Sequence, residues 1–225
     1  MFCLLRQSGT LLFANSNLLK VDLALTIYGS PRSRTMRTLW MAEELGLDYE
    51  HVPIAWDDPW LKSPEFLRLN PAGTIPTIDH DGFGLGESLA INLYLAKTFG
   101  STHSDALYPS DAKAEGEVWR WTLWAQAHLE PWIRRDGGKP VYSGAFADIA
   151  LADAHKALGH LDTVLAAREW LVGDYFTIAD LNVACVLSPS RVAPINMGDH
   201  GRTRDWLARC YGRSAALATR ARFAG

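Results

Sequence analysis

Apolar and polar positions change period repeatedly along the first hundred residues of the chain. Residues 23–28 form a short run of large apolar and β-forming side chains that ends at Gly29 and Pro31, which predicts a strand. Apolar residues then recur at helical spacing up to Gly46, and residues 49–54 alternate like a second strand. A strand, a helix and a second strand in succession predict a right-handed βαβ unit with parallel strands.

Helical and strand patterns alternate again further along. Pro64 can open a short helix that closes at Asn70. Residues 75–78 and 83–85 predict two short strands joined by a tight hairpin, because an Asp-Gly pair lies between them. Ser88 is the predicted N-cap of a third helix, so the first half of the chain has the order β-α-β-α-β-β-α.

The second half of the chain shows helical spacing alone. Helices are predicted for residues 112–133, 145–167, 177–187 and 203–218. The change of pattern within the turn-rich residues 101–110 predicts two domains, an α/β domain at residues 23–101 and an all-helical domain at residues 102–225. Residues 1–22 lack the apolar core and the cleavage site of a secretory signal, and we expect a disordered leader there.

Composition and charge exclude several classes of function. Lys and Arg number 22 against 25 Asp and Glu, and this net charge of -3 argues against a nucleic-acid or anionic-membrane surface. No apolar run approaches the ~20 residues that span a bilayer. Cys3, Cys185 and Cys210 are odd in number and widely spaced, which favours a reducing, cytoplasmic compartment. No CxxC or HExxH spacing indicates a metal site.

Short motifs in a fixed order carry a resemblance to a known family. They are YGSPRS from residue 28, SPEFLRLNPAGTIPTI from residue 63, GES from residue 86 and FTIADLNVA from residue 176. With the predicted domain order, the chain resembles the cytosolic glutathione transferases, in particular the serine-type bacterial, phi-like or theta-like members. The resemblance implies a thioredoxin-like domain at residues 23–101 that binds glutathione and a helical domain that presents a hydrophobic electrophile. It also implies a homodimer and a role in detoxification.

The resemblance also assigns residues to the glutathione site. The cysteinyl backbone of an extended tripeptide can pair with a free strand edge, which would lie at Thr74 and Ile75, before a cis bond to Pro76. Glu87 and Ser88 would begin a helix whose N-terminal N–H groups receive the γ-glutamyl carboxylate, while Glu87 pairs with the ammonium group.

A basic residue is also expected at the far end of the bound tripeptide. Lys62 aligns with a residue that meets the glycine carboxylate in related enzymes. Simple solvation of a loop lysine is the alternative interpretation.

The chemistry requires a thiolate, because a thiol of pKa ~8.5 is only a few per cent ionised near neutrality. A hydroxyl at the N-terminus of the first helix can stabilise that anion. Gly29-Ser30-Pro31-Arg32-Ser33 reproduces the Gly-x-Pro-x-Ser frame of phi-like enzymes, which makes Ser33 the predicted catalytic residue. Tyr28, at the end of the strand, and Ser30 remain alternatives, although Ser30 suits the start of the turn.

The helical half contains two further features. Thr177 and Asp180 form an S/T-x-x-D capping box, which is a folding device. Trp121, Trp124 and His128 have the spacing of one helical face, and the family uses this helix to line the electrophile pocket. A Trp wall suits flat apolar substrates, whereas an aromatic core between helices is an equally good interpretation. Loop residues 134–145 should also shape that pocket.

Alternative functions stay open on sequence grounds. A glutathione-dependent isomerase or peroxidase would use the same activated thiol, although the Ser-Ser-Cys run of zeta-like isomerases is missing. A transferase-like module that binds glutathione or a partner without turnover is the alternative from another class. No metal and no cofactor other than glutathione as co-substrate is expected.

Overall fold

The structure is a computed structural model that describes residues 25–100, 107–136, 139–188 and 195–223. The predicted leader at residues 1–22 lies outside the described residues. So does the predicted domain boundary between residues 101 and 102, which remains a prediction. Among the described residues no helix is both long enough and apolar enough to cross a membrane.

The first half contains the predicted order of strands and helices. In chain order its elements are β1 (Leu25–Tyr28), α1 (Thr35–Glu44), β2 (Glu50–Val52), a 3-10 helix (Pro59–Lys62), α2 (Pro64–Leu69), β3 (Thr77–His80), β4 (Phe83–Gly86) and α3 (Ser88–Phe99). Ser63 caps α2, since its hydroxyl accepts from the backbone N–H of Phe66. The helix ends at Asn70, as the sequence predicts.

The sheet has the strand order β2-β1-β3-β4. β1 and β2 are parallel, which confirms the βαβ unit, and β3 runs antiparallel to both β1 and β4. Asp81 and Gly82 both have positive φ, 53° and 84°, as the tight turn between β3 and β4 requires. β3 begins at Thr77 rather than at the predicted residue 75, because the intervening Pro76 has no N–H to donate to a ladder.

Helices make up most of the described residues of the second half. Its elements are α4 (Ala112–Trp124), a π turn (Ala125–Leu129), α5 (Glu130–Ile133), β5 (Arg135–Asp136), β6 (Lys139–Pro140), α6 (Ala145–Val164), α7 (Ile178–Leu187), α8 (Gly201–Tyr211) and α9 (Ser214–Arg222). The two-residue ladder between β5 and β6 is antiparallel and was not predicted from the sequence.

The predicted single helix over residues 112–133 is interrupted by the π turn. The N–H of Glu130 donates to the carbonyl of Ala125, one residue further back than in an α-helix. Pro131 explains the interruption, because it has no N–H and its ring would clash with the carbonyl of residue 127 in a regular α-helix. The inserted residue changes which side chains face the protein interior beyond Ala125.

The predicted helix over residues 203–218 is instead two helices. The chain leaves helical geometry at Arg213, whose ψ is 145°. Gly212 favours this break by its low helix propensity. Arg213 also forms a two-pronged ion pair with Glu44 at the end of α1, with both N···O distances 2.9 Å. The break therefore places a guanidinium group against the first half of the chain.

The main hydrophobic core lies between the sheet and the helices of both halves. Leu25 and Ile27 of β1 enter it from the sheet, and every residue of α7 is buried in it. Asn92 of α3 and Asn182 of α7 are fully buried and joined side chain to side chain at 3.0 Å. A smaller cluster around Phe66, Leu61 and Ile54 packs against the ring of Tyr28.

Candidate active site

Ser33 lies in the turn between β1 and α1, two residues before the helix begins. Its Oγ donates to the carbonyl of Ser30 at 2.7 Å and accepts from the N–H of Thr35 at 3.1 Å. The side chain is half-buried, and Thr35 Oγ1 lies 2.9 Å away. The hydroxyl therefore stands at the positive end of α1, where rotation about Cβ–Oγ can redirect its proton from Ser30 to an incoming anion.

The alternative hydroxyls are placed differently. Ser30 Oγ accepts from the N–H of Arg32 at 3.3 Å, so it serves the turn. The ring of Tyr28 packs against Trp60 and Phe66, with centroids 5.7 and 5.8 Å away. Burial raises the pKa of Tyr28 above its ordinary value of 10.0, and the negative charges of Asp79 and Glu50 add to that rise. This placement is that of a core tyrosine.

Ile75 lies next to the Ser33 turn. A Cβ on Gly29, whose φ is 135°, would lie 3.0 Å from the Cβ of Ile75 and would overlap Thr35 Oγ1. Only glycine accommodates both that backbone geometry and that close approach. The Ile75-Pro76 bond is cis, as the resemblance implies. Within the described residues the backbone N–H and C=O of Ile75 make no hydrogen bond, which leaves a short edge beside Ser33.

The neighbouring Thr74 and Lys62 form hydrogen bonds within the turn that leads to this edge. The carbonyl of Thr74 accepts from Asn70 Nδ2 at 3.1 Å. Lys62 Nζ donates to the carbonyls of Ala72 and Gly73 at 3.3 and 3.0 Å, with its side chain otherwise exposed. An ammonium group has three donors, so Lys62 can hold the turn and still meet an anion.

Glu87 and Ser88 lie at the start of α3, but the prediction that Ser88 is the N-cap was wrong. Glu87 holds that position, with φ 67° and ψ 104°, and Ser88 is already the first helical residue. The Ser88 hydroxyl points into the protein, where it accepts from Arg37 Nη1 at 3.4 Å. Among the residues that the structure describes, no side chain caps the first turn of α3. Its N–H groups, which have no intrahelical acceptor, are therefore open to an anion, and the Glu87 carboxylate is exposed beside them.

A buried group of charges that the sequence analysis missed lies beside these helix ends. Glu130, only 3% exposed, accepts from Arg37 and from Arg34, with the shortest contacts at 2.8 and 2.7 Å. A usable signal was present, because Arg37 interrupts the apolar face that Trp40 continues. The sequence offered no means to pair Arg37 with a carboxylate in the other half of the chain.

The predicted aromatic face is divided between core and surface. Trp121 is fully buried, and its ring meets the half-buried Trp124 edge to face at 5.3 Å, with His160 of α6 against both. His128 is exposed and does not share their face, because the π turn rotates it away. Trp121 therefore belongs to the aromatic core, one of the two interpretations that the sequence allows.

A mostly apolar cavity of about 190 Å³ lies beside α5. It is bounded by α5, α6 and part of the segment at residues 134–142, with Trp132, Ile133, Tyr142, Leu151 and Ile195 among its lining residues. Arg134, Pro140 and Tyr142, which line it, belong to the loop that is expected to shape the electrophile pocket, and that role stays a prediction. No group of three or more His, Cys, Asp or Glu side chains within the described ranges could hold a metal ion.

Comparisons with known proteins give the family. Residues 31–98 match the glutathione S-transferase N-terminal domain, and residues 122–214 match the glutathione S-transferase C-terminal domain. Glutathione S-transferase 3 of Zea mays is 34% identical over 185 residues, which cover 77% of this chain and 82% of the maize protein.

Solved structures share the fold. A Ser-to-Cys mutant of poplar glutathione transferase F1 has a TM-score of 0.78 at 21% identity, covering 89% of this chain and 98% of that one. Ure2p in complex with glutathione has a TM-score of 0.75 at 19% identity, covering 88% and 92%. The first half of the chain is thus a thioredoxin-like domain. On its two matched domains and its maize relative, the chain belongs to the glutathione S-transferase family, as an enzyme whose co-substrate is glutathione.

Proposed function

We propose that the protein binds glutathione across the N-termini of α1 and α3, with Ser33 as the catalytic residue, and conjugates it to a hydrophobic electrophile. One observation carries the assignment: the Ser33 hydroxyl stands at the N-terminus of α1, in the turn whose first residue, Gly29, is closely approached by the open backbone edge at Ile75. An extended peptide paired with that edge would bring its cysteine side chain close to the hydroxyl.

The remaining groups of glutathione find complementary partners in this arrangement. The uncapped first turn of α3 at Ser88 suits the γ-glutamyl carboxylate, and the exposed Glu87 suits its ammonium group. Thr74 and Ile75 supply the edge for the cysteinyl backbone. Lys62, which already holds the turn before Thr74, suits the glycine carboxylate.

The reaction needs little beyond an activated sulfur and proximity. Ser33 donates a hydrogen bond to the sulfur and so favours the thiolate, and the thiol proton leaves to water. The thiolate then attacks an electrophilic carbon. A C–S bond forms, and a leaving group departs with the electron pair of the bond that breaks. The apolar cavity beside Trp132 is the proposed location for the electrophile.

The direct test is conjugation of glutathione to an aryl halide such as 1-chloro-2,4-dinitrobenzene. We expect a rate well above the uncatalysed background with the wild-type protein. Glutathione binding with no turnover on aryl halides, epoxides, hydroperoxides or a cis-enone would favour the binding module. Turnover of hydroperoxides or of the cis-enone alone would favour the peroxidase or the isomerase. Absence of glutathione binding would refute the proposal.

Glu87→Gln is expected to weaken glutathione binding about tenfold, because it removes a charge-assisted hydrogen bond to the ammonium group. Stability should hardly change, since the Glu87 side chain is exposed. Quenching of tryptophan fluorescence by glutathione measures the dissociation constant. Asp48→Asn is the matched control, because Asp48 is an exposed carboxylate near the other end of α1. Equal dissociation constants for the two variants would remove Glu87 from the site.

We also propose that the protein is a homodimer. Large apolar side chains remain exposed on α4 and β4 of the single chain, with Leu123 63%, Trp119 51% and Phe83 49% exposed. Such residues are expected where a second copy covers them. Sedimentation equilibrium should give twice the chain mass of 24.9 kDa, and a mass equal to that of one chain would refute the dimer.

A cytoplasmic location and a role in detoxification complete the proposal. Cys185 and Cys210 are buried free thiols, as is usual in a reducing compartment. Recovery of the protein in a secreted or organellar fraction after cell fractionation would contradict this location.

A further inference from the structure

A buried charged cluster connects the two helix ends of the proposed glutathione site. We call Arg34, Arg37, Ser88 and Glu130 the Glu130 cluster. Arg37 binds both carboxylate oxygens of Glu130, with Nη2 2.8 Å from Oε1 and Nη1 3.1 Å from Oε2. The same Nη1 donates to Ser88 Oγ at 3.4 Å, and Arg34 Nε donates to Glu130 Oε1 at 2.7 Å.

Glu130 connects both helix ends to the second half of the chain. Arg34 is the residue before α1 and the direct neighbour of Ser33. Ser88 is the first residue of α3. Glu130 lies where the π turn passes into α5, and its N–H donates to Ala125 in the π geometry. One carboxylate of the helical half thus contacts the α1 end directly and the α3 end through Arg37.

Stability alone does not account for such a cluster. Removing a carboxylate and a guanidinium group from water costs several kcal/mol per ion, and apolar side chains of similar volume often serve a core as well. The side chains of Arg37 and Glu130 are 5% and 3% exposed. The two-pronged contact does, however, fix the orientation of the guanidinium plane, which a single point contact would not.

We propose that Glu130 is a positioning residue that holds the N-termini of α1 and α3 in the relative position that one glutathione molecule needs. The thiolate at Ser33 and the γ-glutamyl carboxylate at Ser88 must meet both ends at once. An error of about 1 Å in such an arrangement can cost ~100-fold in rate. This inference rests on the proposed glutathione site.

An effect of the Glu130 charge and an effect on the helix positions would change the thiol pKa in opposite directions, which makes the inference testable. Arg34 and Arg37 face one carboxylate, so the cluster carries surplus positive charge beside Ser33. If Glu130 acted through charge alone, Glu130→Gln would increase that surplus and lower the pKa of the bound thiol. If Glu130 holds the helix ends in place, the same change raises the thiol pKa toward its free value and weakens binding.

The experiment compares Glu130→Gln and Arg37→Lys with Glu117→Gln, which removes an exposed carboxylate from α4. Arg37→Lys keeps the charge but loses the two-pronged geometry. We expect both cluster variants to raise the glutathione dissociation constant about tenfold. Ultraviolet thiolate absorbance of bound glutathione should give a raised thiol pKa for both. Glu117→Gln should match the wild type within about twofold.

Other outcomes overturn the inference. One is a lowered thiol pKa in Glu130→Gln. The other is that both cluster variants keep the wild-type dissociation constant and thiol pKa, and only their melting temperatures change. If Glu130→Gln does not fold, Arg34→Gln serves instead. Arg34 is 42% exposed and loses one contact, and an unchanged dissociation constant in that variant overturns the inference as well. Failure of the wild type to bind glutathione would refute the proposed function itself and is recognisable by that result.

Discussion

Asp180→Ala is expected to lower the free energy of unfolding by about 4 kcal/mol without changing the affinity of the folded protein for glutathione. Asp180 is fully buried at the start of α7. Its carboxylate accepts from the N–H groups of Leu171 and Thr177 at 2.9 and 3.1 Å and from the indole of Trp206 at 2.8 Å. With Thr177 it forms the capping box that the sequence predicts. The alanine variant leaves these buried donors without an acceptor.

Urea unfolding followed by circular dichroism measures this loss, and Asp174→Ala is the matched control. Asp174 is an exposed carboxylate in the same connection before α7, so its removal should change stability by less than about 0.5 kcal/mol. A stable Asp180→Ala variant would show that the box is dispensable. Loss of glutathione affinity in the folded fraction would give Asp180 a second role.

The pH dependence of stability gives a further measurement on Asp180. Burial raises its pKa from 3.8 to about 6, against the lowering effect of the hydrogen bonds from Leu171, Trp206 and Thr177. Between these values the folded protein binds the proton more strongly than the unfolded chain does, so stability falls as the pH rises. Relative to Asp180→Asn, which does not titrate, the wild type should lose about 2 kcal/mol between pH 4 and pH 7. A pH-independent difference would contradict the raised pKa.

Ser33→Ala is expected to reduce the conjugation rate near neutral pH about 20-fold, the second large effect. The hydroxyl and the end of α1 together can lower the thiol pKa by ~2 units, which corresponds to ~2.7 kcal/mol. Without the hydroxyl, the pKa of bound glutathione should return toward ~8.5. Ultraviolet thiolate absorbance against pH measures that pKa in the complex, and glutathione affinity should change much less.

Tyr28→Phe and Ser30→Ala provide the comparison for Ser33. The Tyr28 ring packs against Trp60 and Phe66, and the Ser30 hydroxyl serves the turn, so neither variant should move the thiol pKa by more than a few tenths. A melting temperature measured in parallel separates a loss of the Thr35 contact from a loss of activation. If the thiol pKa rises in Tyr28→Phe and not in Ser33→Ala, the serine assignment is wrong.

Local patterns predicted the first half of the chain closely. The Asp81-Gly82 turn was recognisable because few residue pairs adopt positive φ twice in succession, and the structure has 53° and 84° there. Helix α2 begins at Pro64 and ends before Asn70, where its capping residues predicted. These features depend on residues only a few positions apart, so a short stretch of sequence is enough to predict them.

Predictions failed where two local rules competed or where a distant contact decided. Ser88 is a good N-cap residue, but its side chain turns inward to Arg37, and Glu87 takes the cap position. Pro131 was not weighed against the apolar periodicity of residues 112–133, so the π turn was missed. The break at Arg213 accompanies an ion pair with Glu44, 169 residues away in the chain.

The sequence by itself determined the order of strands and helices in the first half, the capping box at Asp180 and the family resemblance. Each of these arises from sterics and hydrogen bonding within a few residues, or from motifs in a fixed order. Only the tertiary structure decided that Arg37 of α1 meets Glu130, 93 residues later, and that Ile75 lies against the Ser33 turn. Such contacts depend on how whole helices pack, and the separation of two residues along the chain does not give their distance in the folded protein.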